Sequence, residues 1–128
     1  MKKIMILVLS AIVFLFCACE KKKAPEMGTI NNYSEEATPY TLTVGASIYD
    51  IGSGTIEEKG FCYRRGGGLA PTYSDCDSVV KVQGYSGINY FKTTIGGLHP
   101  NTDYIIVAYA FNDVDTSYTN AIYIKTLR

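Results

Sequence analysis

The sequence predicts an all-β fold, a two-sheet antiparallel sandwich of about seven strands. Residues 40–49 alternate apolar and polar side chains, which is the period of a strand with one buried face. No helical periodicity follows the first 18 residues, and twelve glycines interrupt the chain. Short strands separated by frequent turns are typical of a sandwich.

The candidate strands are short runs of strand-forming composition, each bounded by residues that favour turns. They lie at residues 28–33, 40–49, 56–64, 78–83, 89–95, 103–112 and 118–127. Removal of residues 1–18 would leave 110 residues, which is one domain of ordinary size. A chain of that length can bury a real core.

The N-terminal segment has the composition of an export signal. Two lysines precede an almost wholly apolar run at residues 4–16, and the small residue Ala18 stands immediately before Cys19. A basic start, a short apolar stretch and small residues at the cleavage site describe a secretory signal. Because a helix needs roughly 20 apolar residues to cross a bilayer, we do not expect this run to remain as a membrane span.

The residues at the cleavage site, Leu15-Phe16-Cys17-Ala18-Cys19, resemble a bacterial lipobox. The resemblance implies cleavage before Cys19, followed by lipid attachment to its sulfur and its new amine. We therefore expect a lipoprotein signal peptide at residues 1–18, a lipidated terminus and tether at 19–27, and a sandwich domain at 28–128. Three acyl chains, at about 0.8 kcal/mol per buried methylene, would hold the protein on a membrane. An ordinary secretory signal with incidental cysteines is the alternative.

The charge balance excludes one class of partner. The chain has twelve basic and twelve acidic residues, but five of the lysines lie within residues 2–23. Residues 24–128 carry seven basic and eleven acidic side chains, a net charge of about −4. A domain of this sign does not bind nucleic acid by neutralising phosphates, so we expect no nucleic-acid partner.

The strongest local motif is a tyrosine corner between the fifth and sixth strands. Leu98, Pro100 and Tyr104 have the spacing in which the phenol turns back to bond an upstream backbone group. The strand that starts at Tyr104 then has a defined register, because strand side chains alternate. Four of its side chains are predicted to point inward: Tyr104, Ile106, Ala108 and Ala110.

Several segments together resemble fibronectin type III domains, and more closely the short variant found in envelope lipoproteins of Bacteroidetes. These segments are residues 56–63, Ala70-Pro71-Thr72, residues 97–104, Ala108-Tyr109-Ala110 with Asn112, and Tyr118 with Asn120. The resemblance implies an immunoglobulin-like sandwich that serves as a binding, spacing or display module. Because the chain has no tryptophan, Phe61 or Tyr40 is expected to fill the corresponding core volume.

The outward face of the sixth strand is the first candidate binding surface. An apolar, aromatic stripe is predicted there, and large exposed apolar patches usually mark interaction sites. The alternative is that the segment from Gly66 to Gly87, with Leu69, Tyr73 and Tyr85, folds over this face and buries it. The stripe comprises Ile105, Val107, Tyr109 and Phe111, with Tyr123 on the last strand.

The two cysteines of the domain, Cys62 and Cys76, leave two alternatives open. An exported protein meets an oxidising compartment, so a disulfide between them is chemically allowed. They could equally be separate thiols, with Cys62 acting as a small apolar residue in a strand. Two cysteines and a distant histidine do not match a recognised metal-ligand spacing, so we expect no metal.

No constellation of residues predicts catalysis or a cofactor. The single histidine, His99, lies in the corner turn, where exposure to solvent is expected. Four charged loop residues are retained as candidate contacts: Arg64, Arg65, Asp113 and Asp115. We therefore expect a non-catalytic, lipid-anchored protein of the cell envelope, placed at the outer membrane on a side that the sequence leaves open. Its predicted role is to bind or display protein. The alternatives are a glycan-binding surface, an enzyme or an enzyme inhibitor.

Overall fold

The computed structural model describes residues 22–128, so the predicted signal peptide at 1–18 and the predicted lipidation site Cys19 lie outside the described residues. A short 3-10 turn occupies Ser34–Glu36. Within the described range, no helix is long and apolar enough to cross a bilayer. The eight strands are β1 (Glu26–Asn32), β2 (Leu42–Asp50), β3 (Glu58–Arg65), β4 (Ser78–Lys81), β5 (Tyr90–Ile95), β6 (Asp103–Phe111), β7 (Thr116–Tyr118) and β8 (Ile122–Lys125).

The strands form two antiparallel sheets that face each other. One sheet has the order β1-β2-β5. In the other, β4, β3 and β6 are neighbours, and both β7 and β8 pair with β6. The predicted fold class, an all-β, two-sheet antiparallel sandwich of immunoglobulin-like architecture, is confirmed.

The last predicted strand, 118–127, is two strands in the structure because the ladder with β6 is interrupted. Tyr118 pairs with Tyr109 but Ile122 pairs with Ile106, so β7 and β8 are offset by one extra residue. Thr119 lies at this irregularity, where its hydroxyl accepts a hydrogen bond from the backbone N–H of Ala108 at 3.0 Å. Its own N–H donates to the Ala108 carbonyl, so the interruption leaves that buried backbone satisfied.

The core lies between the two sheets and follows the predicted alternation. The inward side chains of β2 are buried as expected: Leu42, Val44, Ala46 and Ile48. Phe61 on β3 packs against Phe91 on β5, with ring centroids 5.3 Å apart, and fills the central volume. The other residue considered for that volume, Tyr40, lies before β2 and is exposed. That part of the prediction is wrong, because the alternation begins only where β2 pairs with β5.

The tyrosine corner is present and fixes the start of β6. The backbone N–H of His99 donates a hydrogen bond to the phenol oxygen of Tyr104 at 2.9 Å, and Leu98 is buried beneath the turn. The hydroxyl of Thr102 donates to the Pro100 carbonyl and closes the corner. The predicted inward register of β6 is confirmed, since Tyr104, Ile106, Ala108 and Ala110 all belong to the core.

The folded domain begins before the predicted boundary at residue 28. β1 starts at Glu26, Pro25 is buried, and the Lys23 ammonium lies 2.8 Å from the Asp50 carboxylate. The polar composition of residues 20–27 indicated a tether, but backbone hydrogen bonds formed at Lys23 belong to the domain. Residues 23–27 are therefore attached to the sandwich.

Candidate binding surface

The outer face of the β3-β6-β8 sheet is not the exposed stripe that the sequence predicted. Ile105, Val107 and Tyr109 point away from the core between the sheets, and all three are buried. Phe111 is half-buried, and of the five stripe residues only Tyr123 is well exposed. The exposed-stripe prediction is wrong for β6, because the loop at residues 66–77 crosses this face.

Tyr73 covers the part of the face formed by Tyr109 and Phe111, and Cys76 packs beside it. Its ring meets Tyr109 edge-on at 5.1 Å and Phe111 at 6.0 Å, both near-perpendicular arrangements that aromatic rings favour. The backbone N–H of Tyr73 donates to the phenol oxygen of Tyr118 at 2.9 Å, which ties the loop to β7. Leu69 and Tyr85, the other two residues considered as cover, are 86% and 47% exposed, against 38% for Tyr73. The loop therefore covers this face through a small aromatic contact rather than through a broad apolar surface.

Cys62 and Cys76 meet beneath this loop as free thiols. Burial, reinforced by the neighbouring Cys76 thiol, raises the pKa of Cys62 far above its ordinary value. Since the thiolate is the reactive form, Cys62 is inert at neutral pH and behaves as a small apolar residue. The two side chains are neighbours on the outer face of the sheet, and the choice between a disulfide and separate thiols stays a prediction.

A buried phenol and a carboxylate form the polar edge of the covered face. The hydroxyl of Tyr109 donates to Glu58 Oε2 at 2.7 Å, and the Lys81 ammonium lies 3.3 Å from Glu58 Oε1. Burial works to raise the pKa of Glu58, but hydrogen bonds from Tyr109 and Tyr73 and the Lys81 charge outweigh it and lower the pKa. Burial, followed by the bond to Glu58, raises the pKa of Tyr109. Both groups keep their ordinary protonation states at neutral pH, so this network is structural.

The part of the outer face that is exposed to solvent lies near the start of β6, next to the tyrosine corner. Arg64 and Tyr123 flank the buried Ile105 from the two neighbouring strands. Tyr123 is 65% exposed, and Leu69, on the adjoining loop, is 86% exposed. We call Arg64, Leu69 and Tyr123 the exposed patch. The structure thus brings together one predicted stripe residue and one predicted loop residue, and adds Leu69.

Two hydrogen bonds hold the backbone of the exposed patch in place. The Arg64 guanidinium donates to the carbonyl oxygen of Leu69, and the Tyr123 hydroxyl donates to the Gly68 carbonyl at 3.3 Å. The loop therefore presents Leu69 outward while its backbone stays attached to β3 and β8. An apolar side chain that is displayed on a fixed backbone loses little further entropy when a partner covers it.

The candidate loop residues do not form one site. Arg64 and Arg65 lie opposite Ile105 and Tyr104 at the start of β6, whereas Asp113 and Asp115 follow its other end. Arg65 also has a local structural role, because its backbone N–H donates to the Asp77 carboxylate at 2.9 Å. Asp115 accepts from the N–H of Thr116 at 2.7 Å. Only Arg64 contributes its side chain to the exposed patch.

The outer face of the β1-β2-β5 sheet carries a second group of aromatic side chains. The hydroxyls of Tyr33 and Tyr90 are hydrogen-bonded to each other, and this bond is the main reason that the pKa of Tyr33 is raised to about 12. The Lys92 ammonium lies 3.9 Å from the centroid of the Tyr33 ring. Tyr49 is 68% exposed and lies over Gly28, where a Cβ would be 2.8 Å from its ring. One face of the Tyr49 ring thus rests on backbone.

The sequence does not predict the hydrogen bonds that the side chain of Asn112 makes. Its buried side-chain amide donates to three carbonyls, those of Lys23, Ile51 and Ser53. Its carbonyl oxygen accepts from the N–H groups of Val114 and Asp115. An asparagine after a strand indicates a turn, but no local pattern predicts partners 89 residues away.

Among residues 22–128, no three His, Cys, Asp or Glu side chains come together as metal ligands. His99 is exposed in the corner turn, where its backbone serves Tyr104. The described residues form an immunoglobulin-like β-sandwich that carries the exposed patch on its larger sheet. Neither a family model nor a curated protein matches the sequence.

Proposed function

We propose that the protein is a non-catalytic envelope lipoprotein that binds another envelope protein through the exposed patch. Its anchor is lipid on Cys19, which is supported by the lipobox-like residues and the apolar run before them. Its sandwich belongs to the fibronectin type III-like domains of Bacteroidetes lipoproteins, a proposal supported by the strand order and the tyrosine corner. The outer membrane is the proposed location.

The observation that carries the binding proposal is the exposure of Leu69 beside Tyr123 and Arg64. Transfer of a leucine side chain from water to an apolar contact is worth about 1.5–3 kcal/mol. Tyrosine and arginine are enriched at protein interfaces and among the residues that dominate binding energy. Since the backbone of the patch is already held by Arg64 and Tyr123, a partner would gain the burial of Leu69 without having to order the loop.

Site-specific photo-cross-linking in cells tests this proposal. A photoreactive phenylalanine analogue replaces Tyr123 in one variant and Tyr49 in a matched control, because the two side chains are almost equally exposed, 65% and 68%, on opposite sheets. We expect one discrete cross-linked envelope protein from position 123 and none from position 49. The absence of a cross-link at 123, or the same product at both positions, would contradict the proposal.

Quantitative binding to the cross-linked partner gives the second test. Leu69→Asp should weaken the affinity of the full chain at least about tenfold, since it removes an apolar contact worth about 1.4 kcal/mol or more. Ile88→Asp is the matched control, because Ile88 is also fully exposed but lies on a different loop. Equal affinities of native protein and Leu69→Asp would show that the patch is not the contact.

A glycan-binding role for Tyr49 is the second candidate, and one observation favours it. The Tyr49 ring lies against the sheet over Gly28 and leaves its other face to solvent, which is the arrangement of an aromatic platform. Binding of the native chain to a glycan array, lost in Tyr49→Ala and kept in Tyr123→Ala, would support this role. The reverse dependence would assign the contact to the exposed patch.

A further inference from the structure

Three loops gather at the end of the sandwich where the polypeptide enters the domain. They are residues 51–57, 82–89 and 112–115, and we call this the entry end. Glu26 at the start of β1 pairs with Asp50 at the end of β2, and Glu58 at the start of β3 pairs with Phe111 at the end of β6. The Asn89 carbonyl accepts from the N–H of Ile48, so the loop before β5 lies at this end too.

The chain at Lys23 is fixed to this end by several hydrogen bonds. Its backbone N–H donates to the Ser53 hydroxyl at 2.6 Å, and its carbonyl accepts from the Ser53 N–H and the Asn112 amide. Gly52 makes this approach possible, because a Cβ there would lie 2.4 Å from the Lys23 carbonyl oxygen. Its φ of +77° also favours glycine. The backbone of Lys23 is therefore held at the entry end.

The length of chain before Lys23 restricts where the domain can stand on a membrane. Cys19 is four Cα-to-Cα steps from Lys23, which span about 14 Å at most. The exposed patch lies beside Ile105, six residues along β6 from its end at Phe111, so about 20 Å separate the exposed patch from the entry end. A lipid carried on Cys19 therefore brings the entry end, and not the opposite end, against the membrane surface.

Exposed apolar side chains occur on each of the three loops at the entry end. Ile88 is 96% exposed, and Ile51 and Val114 are also exposed. Ile88 lies at the tip of a tight turn closed by a bridge between Gly87 and Tyr90. An isoleucine fixed at a turn tip contacts nothing in the domain, but it would gain free energy at the boundary between headgroups and acyl chains.

We propose that the entry end is a membrane-contacting surface, with Ile88 and Ile51 entering the interfacial region of the bilayer that holds the Cys19 lipid. This inference rests on the lipid anchor in the proposed function. Asp113 and Asp115 flank Val114 and keep that loop at the level of the headgroups. The orientation directs the exposed patch away from the bilayer, where a partner protein can reach it.

The absence of tryptophan from the sequence provides a clean fluorescence test. Ile88→Trp and Leu69→Trp each place one tryptophan on an exposed loop, at the entry end and in the exposed patch. The full-length lipidated variants are reconstituted into phosphatidylethanolamine and phosphatidylglycerol vesicles that contain brominated phosphatidylcholine, a contact quencher. We expect Ile88→Trp to be quenched several-fold more than Leu69→Trp and its emission to shift to shorter wavelength.

Flotation of the same vesicles separates failure of the anchor from failure of the orientation. If the variants float with the vesicles and Ile88→Trp is quenched no more than Leu69→Trp, the proposed orientation is wrong while the anchor stands. If neither variant floats, the proposed lipid anchor is wrong, and the proposed orientation, which depends on it, is wrong as well. Strong quenching at residue 88 alone, in floating protein, is the result that supports the inference.

Discussion

The side-chain amide of Asn112 donates a 2.8 Å hydrogen bond to the backbone carbonyl of Lys23 and thereby joins the loop after β6 to the segment that precedes β1. The same amide donates to the carbonyls of Ile51 and Ser53, so one side chain joins the loop after β6, the segment before β1 and the loop after β2. This junction therefore joins the segment before β1 to two loops of the sandwich.

Asn112→Ala should lower the free energy of unfolding by about 2–3 kcal/mol, because it removes the buried side chain whose hydrogen bonds join the loop after β6 to Lys23 and to residues 51–53. Chemical denaturation of the purified chain measures this loss. Asn120→Ala is the matched control, since Asn120 is exposed, and should change stability by less than about 0.5 kcal/mol. Equal stabilities of the two variants would show that the Asn112 junction contributes little.

Removal of the phenol oxygen in Tyr104→Phe should cost about 1 kcal/mol, the usual net value of one hydrogen bond. The His99 N–H then loses its acceptor at the corner. Thermal or chemical unfolding measures the change, with Tyr49→Phe as the control on the exposed face of the other sheet. If Tyr104→Phe unfolds at the same denaturant concentration as the native chain, the corner bond has no stabilising role.

Ile105→Lys tests whether the outer face of β6 is covered. Ile105 is fully buried between Arg64 and Tyr123, so a lysine there would place an unpaired charge in an apolar site and cost more than about 4 kcal/mol. Tyr123→Lys, one strand away and exposed, should leave the fold intact. A stable Ile105→Lys variant with native circular dichroism would mean that residues 66–77 do not cover this face.

The sequence does not predict whether the outer face of β6 is buried, because the alternation of side chains describes only one strand at a time. β6 is apolar on both faces, which is the pattern of a strand covered on both sides, and Ile105, Val107 and Tyr109 are all buried. That pattern shows that something must cover the strand. It does not show which residue of a loop does so, and Tyr73 was not distinguishable from Leu69 or Tyr85.

The features that could be predicted depend on local chemistry. The corner depends on Leu98, Pro100 and Tyr104 within seven residues, and the inward register of β6 follows from it by alternation. The Asn112 junction and the exposed patch depend on segments far apart in sequence. Arg64 and Tyr123 lie on either side of Ile105 only because β3 and β8 both pair with β6.

Protonation of the Glu58 carboxylate should make the domain less stable at acidic pH. Its pKa is held below the ordinary value of 4.5, so the folded state binds fewer protons than the unfolded state as the pH falls. The ionised carboxylate stabilises the folded state above pH 4.5, and this stabilisation is lost as the pH falls through the lowered pKa. Glu58→Gln should therefore lose less unfolding free energy than the native chain between about pH 5 and about pH 3.

Parallel denaturation curves at a series of pH values measure this difference. Asp50 and Asp75, whose pKa values are also lowered, remain in both proteins, so they contribute equally to the two curves. The amide of the Gln variant can still accept the Tyr109 hydrogen bond, which keeps the covered face comparable. Identical pH dependence in the two proteins would contradict the proposed ionisation of Glu58.

The central claim of a lipid anchor on Cys19 is tested most directly by the share of the full-length protein that sediments with membranes. The native chain and the control Cys17→Ser should be found in the membrane pellet and should incorporate an alkyne-labelled fatty acid. Cys19→Ala should be unlabelled and absent from the pellet, because the three acyl chains that hold the protein would be missing. Retention of Cys19→Ala in the membrane pellet at the native level would contradict the account.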